Sequence, residues 1–201
     1  MKIVLATRSR HKIAEIRRIL AGLPVELVGL EALPPVPDVI EDRDTFAGNA
    51  EKKAREIAAA FGFPVLADDS GLLVDGLPGE LGVRSHRFGD PGLDDRGRNA
   101  LLLERLAGVP FLKRTARYVC VAAFARPGVQ DVVLAEGKAE GYIIERERGT
   151  GGFGYDPLFW MPSLARTFGE ADPAAKDRLS HRGEAFRAMA EKLKLSYRTG
   201  S

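Results

Sequence analysis

The sequence has little of what marks secreted and membrane proteins. Its 201 residues contain a single cysteine, Cys120, which excludes an intrachain disulfide and fits a reducing compartment. No apolar run approaches the roughly 18 residues that a membrane span requires. The opening stretch MKIVLATRSRHK turns basic after a short apolar run, unlike a signal peptide. We therefore expect a cytoplasmic protein that makes no contact with a membrane.

The sequence also lacks an excess of charge of one sign and a metal-binding histidine pattern. Its 30 lysines and arginines nearly balance 28 aspartates and glutamates, which gives a net charge of +2. Proteins that bind duplex nucleic acid usually carry a dominant basic face, so we expect no nucleic-acid partner and only local anion sites. The three histidines, His11, His86 and His181, share no Cys/His spacing, which argues against a zinc site.

The apolar residues alternate between short strands and amphipathic helices. The runs KIVLA, VELVGL and PVLA predict buried strands. Helical spacing predicts helices from Ile13 to Gly22, from Asp44, from about Asp94 and in GEAFRAMAEKLK. Two long β-rich runs around Pro127-Gly128 predict a hairpin. This order predicts one α/β domain over residues 1–201, with a mixed sheet flanked by helices.

Two neighbouring aspartates, Asp68 and Asp69, follow the predicted strand PVLA in the stretch LADDSGLLVDG. Adjacent carboxylates repel each other and resist burial, although Asp-Asp-Ser-Gly is also good turn chemistry. A turn needs only one such carboxylate, so the second has no structural purpose. This stretch alone favours a turn, and a pair of carboxylates that binds a cation is the alternative.

The stretch TRSRHK lies where the first predicted strand passes into a helix. The unpaired amides and the dipole of a helix N-terminus favour phosphate there. Arg8, Arg10 and Lys12 add positive charge beside the hydroxyls of Thr7 and Ser9. A solvated helix start with a serine cap explains the same residues equally well. The spaced glycines and the Lys-Ser/Thr pair of a P-loop are missing.

Glu41 and Asp42 precede the helix expected from Asp44, where acidic residues stabilise the helix dipole. A carboxylate on this loop can also reach a cation held beside Asp68 and Asp69. Magnesium is typically bound by one or two carboxylates while substrate phosphates complete its coordination. A divalent metal would neutralise both aspartates, so a metal site would explain why two adjacent carboxylates are present.

Two further stretches offer contacts for a nucleotide. GTGGFGYD combines four glycines, which let the backbone approach a ligand, with the ring faces of Phe153 and Tyr155. A glycine-rich turn with core aromatics fits this stretch equally well. SHRGEA opens the last helix and places His181 and Arg182 as donors near its N-terminus, where Ser180 can be a simple cap.

The order of these stretches along the chain is more specific than any one of them. From Val4 to about Leu193 the chain contains, in succession, ATxxxxK, E-x-x-x-TFxxNAxxKA, ADDSGLxVD, RxxRF, GTGGFGYDPxF and K-x-x-x-SHRGxA. This series resembles the inosine triphosphate pyrophosphatase family. The resemblance implies a homodimer with a two-lobed α/β fold, a long mixed β-sheet and a nucleotide cleft between the lobes. It also implies Mg²⁺-dependent hydrolysis of ITP, dITP and XTP to the monophosphate and pyrophosphate, which removes these non-canonical purine nucleotides from the nucleotide pool.

The resemblance also implies roles for residues at matched positions. Asp69 would be the proton acceptor and a metal ligand, Glu41 a further metal carboxylate, and Ser70 a substrate contact. Our mechanistic hypothesis adds Asp68 to the metal ligands. The implied phosphate contacts are Thr7, Arg8, Ser9, Arg10, His11 and Lys12. The residues implied at the nucleoside end are Phe153, Gly154, Tyr155, Asp156, Lys176, His181 and Arg182. Arg8 and Ser9 stand where the family usually has Gly and Asn, a change that bears on phosphate affinity.

These expectations combine into one mechanism. With Mg²⁺ on the triphosphate, Asp69 deprotonates a water that attacks the α-phosphorus, and pyrophosphate leaves beside Lys12, Arg8 or Arg10. A related pyrophosphatase for other modified nucleotides, such as pyrimidines, is the nearest alternative. A nucleotide sensor without catalysis would not need the metal carboxylates, and a nucleic-acid-binding module is disfavoured by the charge balance.

Selectivity against the normal nucleotides would come from donors at the base. Hypoxanthine and xanthine carry an oxygen at C6 where adenine carries an amino group, so a donor there would be left unmatched by adenine. Arg182 and His181 are the donors that the sequence offers, with Lys176 as a further candidate. Phe153 would stack on any purine and add little selectivity.

Overall fold

The computed structural model describes residues 1–35 and 38–198, which form seven strands and five α-helices. The strands are β1 (Lys2–Leu5), β2 (Glu26–Gly29), β3 (Val65–Val74), β4 (Thr115–Ala125), β5 (Val133–Ile143), β6 (Phe159–Met161) and β7 (Arg166–Thr167). The helices are α1 (Arg10–Ile19), α2 (Phe46–Phe61), α3 (Asp95–Arg105), α4 (Pro173–Leu179) and α5 (His181–Arg198). None of the described helices is long and apolar enough to cross a membrane.

The described strands form one mixed sheet in the order β2-β1-β3-β4-β5-β6-β7. β1 pairs in parallel with β2 and β3, and β6 pairs antiparallel with β5 and β7. Parallel neighbours need crossover connections, which α1 and α2 provide between β1, β2 and β3. β4 and β5 are neighbours joined through the predicted turn at Pro127-Gly128. The α/β fold with a mixed sheet and flanking helices is therefore confirmed.

Side-chain caps explain where several helices begin. Thr45 caps α2 by accepting a hydrogen bond from the Gly48 amide at 3.0 Å, so the helix begins at Phe46, slightly after the predicted Asp44. Asp94 caps α3 in the same way through the Gly97 amide, as expected for a helix from about Asp94. The apolar spacing did not predict α4, although Asp172 followed by Pro173 is a common helix start.

The chain divides into two compact units. The first contains residues 1–69, 120–137 and 181 onward, and the second contains residues 70–119 and 138–180. The core of the second unit is largely aliphatic and contains three aromatic rings whose centroids lie 4.8–6.2 Å apart. These rings belong to Tyr118, Phe159 and Phe168.

The first unit has two apolar clusters that use alternate residues of the same strands. Leu66 of β3 belongs to the cluster that also contains residues of α1 and α5. Its neighbours Val65 and Ala67 belong to the cluster that contains residues of α2. Successive side chains of a strand point to opposite faces, so α1 and α5 cover one face and α2 covers the other. Cys120 is fully buried in the first cluster, which confirms its prediction as a core residue.

Gly137 in β5 marks a close approach between strand and helix inside the first unit. A Cβ added there would collide with the backbone carbonyl of His181 and the amide of Ala185 at the start of α5. We predict that Gly137→Ala lowers the free energy of unfolding by about 1–3 kcal/mol, because backbone atoms cannot move aside as a flexible side chain can. Urea unfolding measures this change.

Gly22 supplies the matched control, since a Cβ added there meets nothing within 4 Å. Gly22→Ala should therefore leave the unfolding midpoint unchanged or raise it slightly. Equal midpoints for the two variants would show that the packing of α5 on β5 is looser than the structure indicates.

Candidate functional site

The two aspartates lie inside a strand and not in a turn. β3 continues through Asp68 and Asp69 to Val74, so the turn interpretation of Asp-Asp-Ser-Gly is wrong. Side chains alternate along β3, and Asp68 therefore points to the face covered by α1 and α5 while Asp69 points to the face covered by α2. This orientation separates two carboxylates that the sequence places side by side.

Asp68 is a buried carboxylate surrounded by cations. Only 1% of its surface is exposed. Its Oδ2 accepts hydrogen bonds from Arg182 Nη2 at 3.1 Å and Nε at 3.4 Å, and Lys12 Nζ lies 3.1 Å away. Burial opposes ionisation, but the charges of Lys12, Arg182 and Lys53 outweigh it and hold the pKa of Asp68 well below its ordinary value. Asp68 is therefore a permanently charged counter-ion.

Arg182 links two helices to this carboxylate. It is 1% exposed at the start of α5, and its Nη1 donates to Glu15 Oε2 on α1 at 2.7 Å. Glu15 is itself 5% exposed. The guanidinium thus bridges Glu15 and Asp68 in the interior of the first unit. Sequence reasoning missed Glu15, whose only signal is an acidic residue among the apolar positions of α1.

Asp69 has a different environment on the other face of the sheet. Its Oδ2 accepts a hydrogen bond from Asn49 Nδ2 on α2 at 3.0 Å. The Asn49 amide is fixed in turn by the backbone amide and carbonyl of Arg43. Burial raises the pKa of Asp69, the Asn49 hydrogen bond opposes that rise, and the nearby charge of Glu41 adds to it. The carboxylate is therefore a stronger base than an ordinary aspartate.

Lys53 lies among the carboxylates on the α2 side. Its Nζ donates to the backbone carbonyl of Asp68 at 3.0 Å and forms an ion pair with Glu41. Burial opposes its charge, but Asp68 and Glu41 raise the pKa of Lys53 above its ordinary value. Sequence reasoning missed Asn49 and Lys53. In the sequence they could have been found as two polar residues, one helical turn apart, on the apolar face of α2.

The segment from Thr7 to Lys12 spans the loop after β1 and the first residues of α1, and it contains a helix cap. Ser9 Oγ accepts a hydrogen bond from the Lys12 amide at 3.3 Å, and the Ser9 amide donates to Thr7 Oγ1 at 3.2 Å. The serine cap considered from the sequence is therefore present. Arg8 pairs with Asp38 at 2.8 Å, with both side chains more than half exposed. Arg10 and His11 are exposed. The phosphate contacts of this segment stay a prediction.

Of the three carboxylates predicted to bind a metal, Glu41 and Asp69 lie on the same side of the sheet and Asp68 does not. Among the described residues, no group of three His, Cys, Asp or Glu side chains is arranged to hold a metal ion. Glu41 and Asp69 interact electrostatically on the α2 side, whereas the Asp68 carboxylate faces Lys12 and Arg182. Two carboxylates are a common protein contribution to a magnesium site, so Glu41 and Asp69 fit such an ion.

The remaining predicted residues lie in the second unit, apart from His181 and Arg182, which belong to the first. Asp156 Oδ2 accepts hydrogen bonds from the Phe153 amide at 2.8 Å and from Lys176 Nζ at 2.5 Å. Lys176 Nζ also lies 4.8 Å from the centroid of the Phe153 ring. A Cβ on Gly152, which has a φ of +71°, would collide with the Asp156 carboxylate.

Tyr155 has an evident structural contact. The Tyr155 hydroxyl donates to the backbone carbonyl of Ser85 at 2.7 Å, and burial raises the pKa of this phenol. Ser70 is half-buried within β3. His181 and Arg182 are buried, with 4% and 1% of their surface exposed. The substrate contacts of all these residues stay predictions.

Comparison with known proteins places the chain in a family. Residues 3–192 match the model of the Ham1 family. Relatives from Geobacter sulfurreducens and Desulforamulus reducens, each named dITP/XTP pyrophosphatase, are 44% and 45% identical, over 96% and 98% of both chains. A HAM1 protein structure from Coxiella burnetii has a TM-score of 0.87 and 37% identity, covering 96% of this chain and 98% of that one. The chain belongs to the Ham1 family, and the relationship that its motifs indicated is confirmed.

The buried ion pairs of Arg182 predict a large effect on stability. Arg182→Met keeps the volume of the side chain but leaves Asp68 and Glu15 buried without their shared cation. Removing one partner of a buried ion pair typically costs about 3–5 kcal/mol. We expect a loss of this size in the free energy of unfolding, measured in urea.

The matched control is an ion pair on the surface of α2. Arg55 pairs with Glu51 one turn away at 2.8 Å, with both side chains more than a third exposed. Arg55→Met should cost at most ~0.5 kcal/mol, because solvent screens this pair. If the two variants were equally stable, Arg182 would not be the cation that holds Asp68.

Proposed function

We propose that this member of the Ham1 family is a Mg²⁺-dependent nucleoside triphosphate pyrophosphatase that hydrolyses ITP, dITP and XTP to the monophosphate and pyrophosphate. The names of its relatives support this substrate class. The observation that carries the proposal is the position of Asp69, a buried carboxylate whose Oδ2 accepts a hydrogen bond from Asn49 at 3.0 Å and which interacts with the nearby carboxylate of Glu41. Such a group suits a general base. The homodimer and the cytoplasmic location remain predictions.

Glu41 and Asp69 would hold the magnesium ion. When bound, the ion neutralises charge that develops on the phosphate oxygens. Asp68 is left out of this set, because its carboxylate oxygen is engaged by Lys12 and Arg182. Its role is to keep these two cations in place, which fixes the start of α1 and the start of α5.

The protein groups support hydrolysis at the α-phosphorus. Asp69 accepts a proton from a water molecule as the water oxygen forms a bond to the α-phosphorus. The bond between the α-phosphorus and the bridging oxygen breaks, and its electron pair leaves with pyrophosphate. Arg8, Arg10 and Lys12 at the start of α1 provide positive charge and helix amides for the leaving group.

Base recognition falls to the loop that contains Phe153 in the second unit. Phe153 offers a stacking face, and the Lys176 ammonium lies 4.8 Å from its ring centroid. A purine on this ring would have a cationic donor nearby, and an oxygen at C6 suits that donor better than an amino group does. Lys176, Arg182 and His181 are our candidate donors to O6, and burial does not rank them, because Lys176 is also buried and bonded to Asp156.

A substrate panel tests this proposal. With Mg²⁺ present, we expect release of pyrophosphate and a monophosphate from ITP, dITP and XTP, and much slower release from ATP and GTP. Quantifying both products separates attack at the α-phosphorus from loss of a single phosphate. Faster turnover of modified pyrimidine nucleotides would favour the rival pyrophosphatase, and binding without turnover would favour a sensor.

A further inference from the structure

Gly154 is held at both of its backbone polar groups by helix α3. Its amide donates to Asp95 Oδ2 at 2.8 Å, and its carbonyl accepts from Asn99 Nδ2 at 3.2 Å. Asp95 and Asn99 lie one turn apart on α3, within the same unit as the loop. Gly154 has a φ of +61°, the left-handed region that favours glycine. Two side chains of one helix thus fix an unusual backbone conformation directly after Phe153.

Asn99 also connects the two sides of this loop. Its Nδ2 donates to Glu147 Oε1 at 2.7 Å as well as to the carbonyl of Gly154. Both partners only accept hydrogen bonds, so the amide nitrogen and not the oxygen must face them. Both hydrogens of this nitrogen are therefore used within the loop that runs from residue 147 to residue 154.

Asn99 is buried although one of its polar atoms lacks a hydrogen-bond partner among the described residues. The side chain is 2% exposed, and its Oδ1 has no hydrogen-bond partner in the part of the chain that the structure describes. Leaving a buried acceptor unsatisfied is unfavourable, and an apolar residue would fill the position without that penalty. The donors of Asn99 to the loop explain why an amide stands there.

Both carboxylate oxygens of Asp95 accept hydrogen bonds. Its Oδ1 accepts from Arg98 Nη2 at 2.5 Å, while Oδ2 accepts from the Gly154 amide. Burial opposes ionisation of Asp95, but these two hydrogen bonds and the charge of Arg98 lower its pKa below the ordinary value. The acceptor of the Gly154 amide is thus a fixed and charged oxygen.

We infer that Asp95 and Asn99 are positioning residues, which hold Gly154 so that the ring of Phe153 faces the purine base in a defined orientation. This role rests on the proposed function, because it assigns Phe153 to the base. Neither residue touches the substrate. Their effect should therefore appear in substrate binding through the base and not in the chemistry at the phosphates.

The test compares KM and kcat for ITP in variants of the full chain. Asp95→Ala and Asn99→Ala should each raise KM about tenfold with kcat within about twofold, because a misplaced ring loses much of its stacking with the base. Asp95→Asn keeps an oxygen that can accept from the Gly154 amide, so it should largely restore KM. Arg96→Ala, an exposed residue of the same helical turn, is the matched control and should behave as wild type.

Two further measurements separate positioning from general damage. Inhibition by inorganic tripolyphosphate, which has no base, should be unchanged in all variants. Amide hydrogen exchange of residues 149–156 should become at least about tenfold faster in Asp95→Ala and Asn99→Ala. Exchange in residues 1–35 should stay at the wild-type rate.

The outcomes distinguish this inference from the proposed function. A wild-type protein that hydrolyses none of the nucleotides overturns both the proposed function and the positioning role, even if loop exchange responds as expected. An active wild type with unchanged KM or unchanged loop exchange in Asp95→Ala overturns the positioning role alone. Equal losses for ITP and tripolyphosphate also overturn it, because they indicate damage beyond the base end.

Discussion

The opposite orientation of two adjacent aspartates on β3 is the constraint on which the rest of the first unit depends. A strand sends Asp68 to the face of α1 and α5 and Asp69 to the face of α2, which gives one sequence motif two separate environments. Cations enclose Asp68 and keep it charged, whereas burial makes Asp69 more basic. The pair therefore combines a structural counter-ion with a candidate catalytic base.

In each unit, polar side chains fix a backbone segment that the proposed chemistry requires. Asp68 binds Lys12 and Arg182, which anchors the first turn of α1 and the first turn of α5. In the second unit, α3 anchors the glycine-rich loop through Gly154. Such groups are costly to bury, and they are tolerated when partners satisfy them and when they hold a unique geometry.

Sequence periodicity predicted the α/β sheet and the main helices, because these depend on local apolar patterns, and the order of the motifs indicated the family. It failed at Asp68 and Asp69, where good turn residues lie within a strand that its neighbours in the sheet hold extended. It also missed Glu15, Asn49 and Lys53. Arg182 lies 114 residues from Asp68 along the chain, and no local pattern reveals which buried charges at such separations will pair.

The most direct test of this division of roles measures urea unfolding and kcat for ITP in Asp68→Asn and Asp69→Asn side by side. Asp68→Asn should lose about 3–5 kcal/mol of unfolding free energy, because Arg182 and Lys12 lose their buried counter-charge. A raised carboxyl pKa means that the ionised form of Asp69 costs stability at neutral pH, so Asp69→Asn should be as stable as wild type or more stable. Its kcat should fall about 10²–10⁴-fold. A marked loss of stability in Asp69→Asn, together with a stable Asp68→Asn, would contradict the account.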